Sequence, residues 1–528
     1  PTGAPSPEQS KPTIEIDLCN PEDNLRAAYA ALAEDATLYS RHNRVAVVEA
    51  VAAPGEAARA VARELGPDEL SIKLSERRTW FVWRQRGDNI EPVPQPAPGR
   101  IVKTIASPRP HPGLRPLQAI VHAPTIRADG SVVQTPGYDA EAGLLLDFEP
   151  GTFPRVADTP TLDDARRSVA ELLDVVTDFP FCDDAGRAAW LALVLTLVAR
   201  PTLPTVPAWL LDAPVRGSGK TLLATLAGLI AHGHAPAISA PPDDDTETRK
   251  RITAAIIGGE SLIIFDNIRA GASFGCAPID AVLTSPVWRD RILGRSETFE
   301  ARHGLTIVAT GNNLEISGDL ARRALLVRLT PDAERPEERQ DFKHPRIVQH
   351  VAAIRPCLVA AALTILRAHA VAGRPASGLG AFGSFEQWSD VVRAALVWAG
   401  LDDPLLTMKA LRDRDGHDEA LVRLLECWQY LAQNGEPLTA RQILDRCPWA
   451  PDAADALSAM IPGRLVDLTP RKVTTVLSAV AGRWMNGRRL VKASDRKGFT
   501  QFSLESRPSP TAGNVPIMPI MCRSHFSR

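Results

Sequence analysis

Long hydrophobic runs are scarce in this sequence of 528 residues: the longest, Ala188 to Ala199 and Cys357 to Leu366, fall well short of the roughly 20 apolar residues that a membrane-crossing helix needs. Both read as buried helices, and no membrane partner is expected. Cysteine is also sparse. The seven residues (Cys19, Cys182, Cys276, Cys357, Cys427, Cys447, Cys522) are odd in number, widely spaced and without a Cys-x-x-Cys pair. That excludes a disulfide framework or a paired-cysteine zinc site and favours a reducing compartment. A basic n-region followed by an apolar stretch is missing from Pro1 to Lys11, so no secretory signal is expected and the cytoplasm is the expected address. Net charge is nearly absent too, with Lys+Arg 60 against Asp+Glu 62, so any nucleic-acid surface must be local rather than a global field. Lysine itself is rare, ten residues beside fifty arginines, a bias of composition and not of function.

What is present suits a folded chain. Apolar residues make up 45% and charged residues 23%, near the globular average, and at roughly 150 residues per domain the length allows three to four folding units. Residues 1–20 and 507–528 lack any sustained period and read as disordered tails. Residues 21–160 read as an α/β domain: Asn24 to Ala33 and Gly55 to Leu65 are Ala-rich and amphipathic, whereas Val45 to Val51 and Trp80 to Trp83 read as strands. The four prolines of Glu91 to Arg100 force an extended or turning chain. Ala128-Asp129-Gly130 reads as a hairpin turn, and Pro136 to Asp139 as a second turn. Residues 161–345 alternate helix and strand, the pattern of a parallel sheet. Residues 346–432 read as a helical domain, with a capping box at Ser384-x-x-Gln387 and a stop at Gly400. Residues 433–506 begin with a capping box at Thr439-x-x-Gln442 and continue as short helices and a strand pair.

Chemistry concentrates after the apolar strand Ala208 to Asp212. Val215-Arg216-Gly217-Ser218-Gly219-Lys220-Thr221-Leu222 forms a glycine-rich loop that opens a helix, the context in which a P-loop cradles phosphates with backbone N–H groups and a helix N-terminus. Lys220 is placed to reach the β- and γ-phosphates and Thr221 to ligate Mg²⁺. The first glycine of the strict pattern is replaced by Pro214. About 45 residues beyond Lys220, the strand Ser261 to Phe265 ends in Asp266, which the arrangement sets beside the Thr221-bound metal. Asn267 follows it; an amide can orient water but cannot accept its proton. A further strand, Ile307 to Thr310, ends in Gly311-Asn312-Asn313, and the paired arginines Arg322 and Arg323 come shortly after.

This order of P-loop, Asp-ended strand, Asn-ended strand and paired arginines resembles an AAA+ ATPase core. More narrowly, it is similar to the superfamily III and MCM-like helicases of phages, plasmids and integrative elements. The resemblance covers roughly residues 37–430 and is carried also by Glu247 to Arg251, Trp288 to Gly294, Trp388, Arg393, Trp398 and Asp403-Pro404. It implies ATP and Mg²⁺ as cofactors, Asn312 as the residue orienting the attacking water with Asn313 sharing the task, and Arg322 or Arg323 as an arginine finger reaching a neighbouring subunit. It further implies a homo-oligomeric ring, by analogy a hexamer. A hairpin at Trp288 to Arg302 would project toward DNA with Arg295 near its tip. Residues 1–150 supply no set of metal-binding carboxylates or zinc ligands, so a primase or polymerase would be a separate partner.

A second cationic surface lies in residues 471–497, where Arg471, Lys472, Arg483, Arg488, Arg489, Lys492, Arg496 and Lys497 face a single acid, Asp495. With helices before it and a strand pair at its end, the segment reads as a winged helix for DNA. The expected architecture is therefore α/β: an AAA+ P-loop ATPase core with an N-terminal α/β region, a helical region and a C-terminal winged helix. The leading functional expectation is an ATP-dependent DNA helicase or helicase-like replication initiator of a mobile genetic element. The alternative is a non-unwinding AAA+ DNA-binding switch, either an initiator or loader or a transcription regulator.

Overall fold

The strand β1 (Ala208–Ala213) is buried along its whole length, as an apolar run covered on both faces of a parallel sheet must be. The computed structural model describes residues 11–506 apart from 18, 53–57, 243, 270–272, 292–297, 317, 332–335, 376–377, 409–415, 433–434, 462–467, 483–484, 486 and 495–498. Around β1 it builds a five-stranded sheet from β2 (Ile238–Ser239), β3 (Leu262–Ile268), β4 (Thr306–Asn312) and β5 (Ala324–Arg328), in the order β2-β3-β4-β1-β5. Every pairing is parallel. The chain leaves β1 for one side of the sheet and returns for β5 on the other. The crevice beyond the C-terminal end of β1 is thus a topological switch point, where α/β sheets bind ligands.

Three helices enclose the sheet and its flanks. α1 (Asp184–Ala199) is buried nearly all round, the signature of a core helix, and its N-cap Asp183 accepts from Gly186 N at 2.7 Å. α2 (Lys220–His232) starts at the glycine-rich loop. α3 (Ile347–Val371) has 25 residues and is long and apolar enough to cross a bilayer by length and composition. Its arginines, however, are spent inside the protein. Arg355 donates to Ile230 O, Ala231 O and His122 O, and Arg367 to Gly130 O and Asp158 O.

The N-terminal residues form an α/β assembly of two small sheets. Thr79–Arg86 lies between Thr13–Glu15 and Asn89–Gln95, and Arg44–Val51 lies between Arg59–Glu64 and Leu38–Arg41. Three expectations are corrected here. Residues 13–15 are an ordered strand, paired in register with Thr79, Trp80 and Phe81. The Ala-rich stretch expected as a helix at 55–65 holds a strand at Arg59–Glu64, because pairing with Arg44–Val51 outweighs alanine's intrinsic helix preference. The hairpin at 128–130 forms between Thr125–Ile126 and Val132–Val133, but Gly137–Asp139 is a strand against Leu144–Leu146 rather than a turn. The proline-rich run is extended as expected: Pro92 and Pro94 sit opposite Trp83 and Phe81 on an edge strand.

The chain divides into two compact units, residues 1–411 and 412–528. Helix Gly416–Leu431 therefore does not close the helical region expected at 346–432. Its Leu421, Leu424 and Trp428 enter the core of the second unit with Ile443, Leu457, Val473, Leu477, Leu490 and Phe502. In the first unit, Gly400 stops a helix in left-handed geometry, but no capping box forms at Ser384, whose N–H instead meets Glu386 Oε1 at 3.1 Å. The capping box at Thr439 and Gln442 is formed. The second unit orders Ala440–Arg446, Pro451–Met460 and Pro470–Val480 before a sheet of Leu438–Thr439, Thr500–Ser506 and Arg488–Ser494. The tails 1–10 and 507–528 lie outside the described residues.

Trp209 anchors the centre: fully buried, it donates to Ala189 O at 2.8 Å and meets Trp388 edge-on at 6.2 Å. Trp209→Ala is expected to destabilise the first unit by about 3–5 kcal/mol, measured as a lower urea midpoint at unchanged slope.

Candidate functional site

The loop between β1 and α2 closes by glycine geometry. Gly217 and Gly219 adopt φ of 72° and 86°, conformations that side chains with a Cβ resist. A Cβ on Gly219 would also come within 2.9 Å of Phe179 Cε1. This curl seats Lys220 at the first turn of α2 with 8% exposure. Its ammonium donates to Val215 O at 3.2 Å, Ser218 Oγ at 2.9 Å and Asn312 Oδ1 at 2.8 Å. Burial lowers the Lys220 pKa, and the nearby Asp212 and Asp266 carboxylates oppose that shift. Arg216 and Gly217 are exposed, Ser218 is buried, and Val215, Gly219, Thr221 and Leu222 are half-buried.

β3 and β4 bring the next groups to the same edge. Their register slips between Phe265 and Ile268, and at this bulge Asn267 takes φ 61°. Asp266 Oδ1 thereby accepts both Thr221 Oγ1 and Thr310 Oγ1, the latter at 2.6 Å. Asn267 N donates to Thr310 Oγ1 at 3.0 Å. Thr221 Oγ1 and Asp266 Oδ1 are two adjacent oxygens of the kind that hard divalent ions accept as ligands. Asn312 stands directly on the lysine. Asn313 turns away: its backbone has φ 49°, its N–H meets Ala213 O at 3.1 Å, and its side chain is exposed.

Three participants escape a reading of the sequence. Thr310 is masked by its place in an apolar strand. Asp212, fully buried at the end of β1, accepts Arg328 Nη1 at 2.6 Å and Leu314 N at 3.1 Å. It ties β1 to β5 and fixes the turn that follows Asn312. The signal was available, since a carboxylate in an otherwise apolar strand needs a partner, but the sequence does not say that the partner is Arg328.

The paired arginines lie at the opposite edge. Ala208 pairs with Ala324, whereas Ala213 pairs with Asn312, so Arg322 and Arg323 are separated from their own loop by a strand length, roughly 17 Å at about 3.3 Å per residue. Arg323 is held by Asp280 at 2.6 Å and Asp319 at 3.3 Å, while Arg322 is largely exposed with one pairing to Asp319 at 3.3 Å. The hairpin expected near residues 288–302 is present as Val287–Arg291 paired with Thr298–Arg302. Arg295, expected near its tip, lies outside the described residues, as do Arg483, Arg496 and Lys497.

In the second unit, Val473 and Leu477 point into the core, and Arg471, Lys472 and Thr475 are exposed on the same helix. Lys492 is exposed on its strand. Arg489, in contrast, is neutralised across the sheet by Glu505 at 2.7 Å, an acid outside the run in which the charges were counted. Arg488 donates to Leu425 O at 3.4 Å.

No family model and no curated protein match the chain. Among solved structures, the A-form apo structure of the NrS-1 C-terminal region aligns at TM-score 0.33 and 11% identity, covering 80% of this chain and 93% of that one. A second A-form apo structure of that region gives 0.33 and 9%, with 80% and 94% covered. The α/β class described above rests on this chain's own strand order and register.

Removing Asp212 would leave the half-buried Arg328 guanidinium without this carboxylate and unlatch the turn after Asn312. Arg328→Ala is expected to cost about 3–5 kcal/mol in chemical denaturation, because it leaves the fully buried Asp212 carboxylate without that counter-charge, with Asp212→Ala costing less because the partly exposed Arg328 can turn to solvent.

Proposed function

We propose that the chain is an ATP-hydrolysing replication protein of a mobile genetic element, with an AAA+ core in its first unit and a DNA-contacting winged helix in its second. The observation that carries this reading is the hydrogen bond from Thr221 Oγ1 to Asp266 Oδ1, beside a buried Lys220, at the switch point of a parallel sheet. A magnesium-bound triphosphate would supply the reacting phosphoryl group and would be held by Thr221, Asp266 and the main-chain amides of residues 215–221. Lys220 would exchange its carbonyl and hydroxyl partners for phosphate oxygens, and Asn312, released from the ammonium, would orient the attacking water. Asn267 can orient that water but cannot take its proton, so either a different carboxylate serves as base or hydrolysis is slow.

The strand-length gap between the loop and Arg322 or Arg323 favours completion of each site by a second copy, and hence a ring. Arg322 is the freer of the two to reach across. Such a finger is worth about 10³ to 10⁵ in rate where it has been measured in other phosphoryl-transfer enzymes. In the second unit, the exposed Arg471, Lys472 and Lys492 suit phosphate contacts.

Lys220→Ala is expected to abolish ATP turnover without lowering the melting temperature by more than a few degrees; undiminished turnover would remove the site. Mixing Arg322→Ala with Lys220→Ala chains should restore part of the activity, and complete failure to do so for this pair and for Arg323→Ala would argue for a site closed within one chain. On forked DNA, multiple-turnover strand displacement that requires hydrolysis supports a motor, whereas nucleotide-dependent binding without displacement supports a switch. With about four cations of the second unit on phosphates, log K for duplex DNA should fall with log[salt] at a slope near roughly −4, and a flat response would exclude DNA from that surface.

A further inference from the structure

The far edge of the sheet from the glycine-rich loop carries a cavity that the proposed ATP chemistry does not use. It measures about 550 Å³ and is walled by the ends of α1 and α2, the starts of β3 and β4, and the N-terminal strands near Arg41, Ala60 and Ile120. That volume is in the range of small-molecule sites, about 300–1,000 Å³. Four guanidiniums, Arg41, Arg59, Arg200 and Arg302, share the lining with a single carboxylate, Glu260.

The cations are poorly compensated. Arg41 is buried with its Nη1 on Ile257 O at 3.2 Å and Ala62 O at 3.5 Å. Arg200 is 3% exposed, bonded only to the carbonyls of Leu203 and Leu305, and its Nε has no partner. His42 Nδ1 on the same wall is likewise enclosed and unpartnered. Among the described residues, none of the four arginines is paired with a carboxylate, and Arg59 meets only the imidazole of His234. A buried guanidinium without a counter-charge is costly, and a phosphate paired with the exposed Arg59 and Arg302 would lie in the field of the buried Arg41 and Arg200.

The rest of the wall argues for what the anion is attached to. Val61, Ile120, Leu197, Ile256 and Leu262 give it an apolar side. The imidazoles of His232 and His234 lie stacked with centroids 5.9 Å apart, and His122 meets His234 at 6.2 Å. Burial drives His42 and His232 to about 3 and His303 to about 4, so these rings are neutral near pH 7 and serve as flat polar surfaces while the arginines carry the charge. No group of three metal-ligating side chains is assembled among the described residues.

We propose that this cavity binds a phosphate-bearing nucleoside, with the phosphate on Arg59 and Arg302 toward the mouth and the base against the apolar and imidazole wall. It is a ligand site separate from the glycine-rich loop, and it bridges the N-terminal strands and the edge of the central sheet. The test uses the full chain carrying Lys220→Ala, so that the first site is disabled, with its fold verified by thermal melting. Deoxyadenosine monophosphate, inorganic phosphate and deoxyadenosine are titrated separately by calorimetry. The expected result is saturable uptake of one equivalent of the monophosphate, weakened at least tenfold by Arg59→Ala and by Arg302→Ala, two exposed positions whose loss spares the fold. Competition by inorganic phosphate and much weaker binding of deoxyadenosine should accompany it. No monophosphate uptake, equal uptake in both arginine variants and their parent, or deoxyadenosine binding as tightly as its monophosphate would each overturn the proposal.

Discussion

Much of this architecture turns on the enclosure of one ammonium group. Lys220 is held at 8% exposure because the loop before it curls through two left-handed glycines and because β4 delivers an amide oxygen to its tip at 2.8 Å. Charge removed from water must be met by fixed dipoles and counter-charges, and the fold meets it three ways: carbonyl and hydroxyl oxygens from the loop, the amide of Asn312, and the fields of Asp212 and Asp266. Each of those groups comes from a different part of the sheet edge. The lysine can sit there only if β1, β3 and β4 keep their register, so the site and the sheet stabilise one another.

The slip between Phe265 and Ile268 is the second structural device. A regular ladder would alternate Asp266 and Asn267 between opposite faces of the sheet. The bulge instead sets both beside Thr310, one through its carboxylate and the other through its backbone N–H. Local irregularity is thus what makes the acidic end of β3 converge on α2, and the left-handed backbone at Asn267 is borne by a residue type that tolerates it.

Legibility from sequence followed the range of the signal. The glycine-rich loop, the strand ending in Asp266 and the strand ending in Asn312 are local patterns, and the fold sets them on one sheet edge. Pairing partners are not local. Arg328 could not be linked to Asp212 across 116 positions, nor Arg489 to Glu505 across a hairpin, and the helical appearance of residues 55–65 concealed a strand whose identity comes from its neighbour. The boundary near residue 411 was hidden for the same reason: helix Gly416–Leu431 is amphipathic in any setting, and only its buried partners assign it to the second unit. The cavity at the far edge had no sequence signature, since its arginines are spread from Arg41 to Arg302 and gather only in the folded chain.

The two prolines of Asn89–Gln95 have a bearing on how copies of this molecule can meet. Residues two apart on a strand send their N–H groups the same way, and at Pro92 and Pro94 those donors do not exist. The outer rim of that small sheet therefore lacks two of the donors by which one sheet extends into another. Strand-to-strand joining of two copies is hindered at this border, which also guards the free chain against growing into fibrils from there.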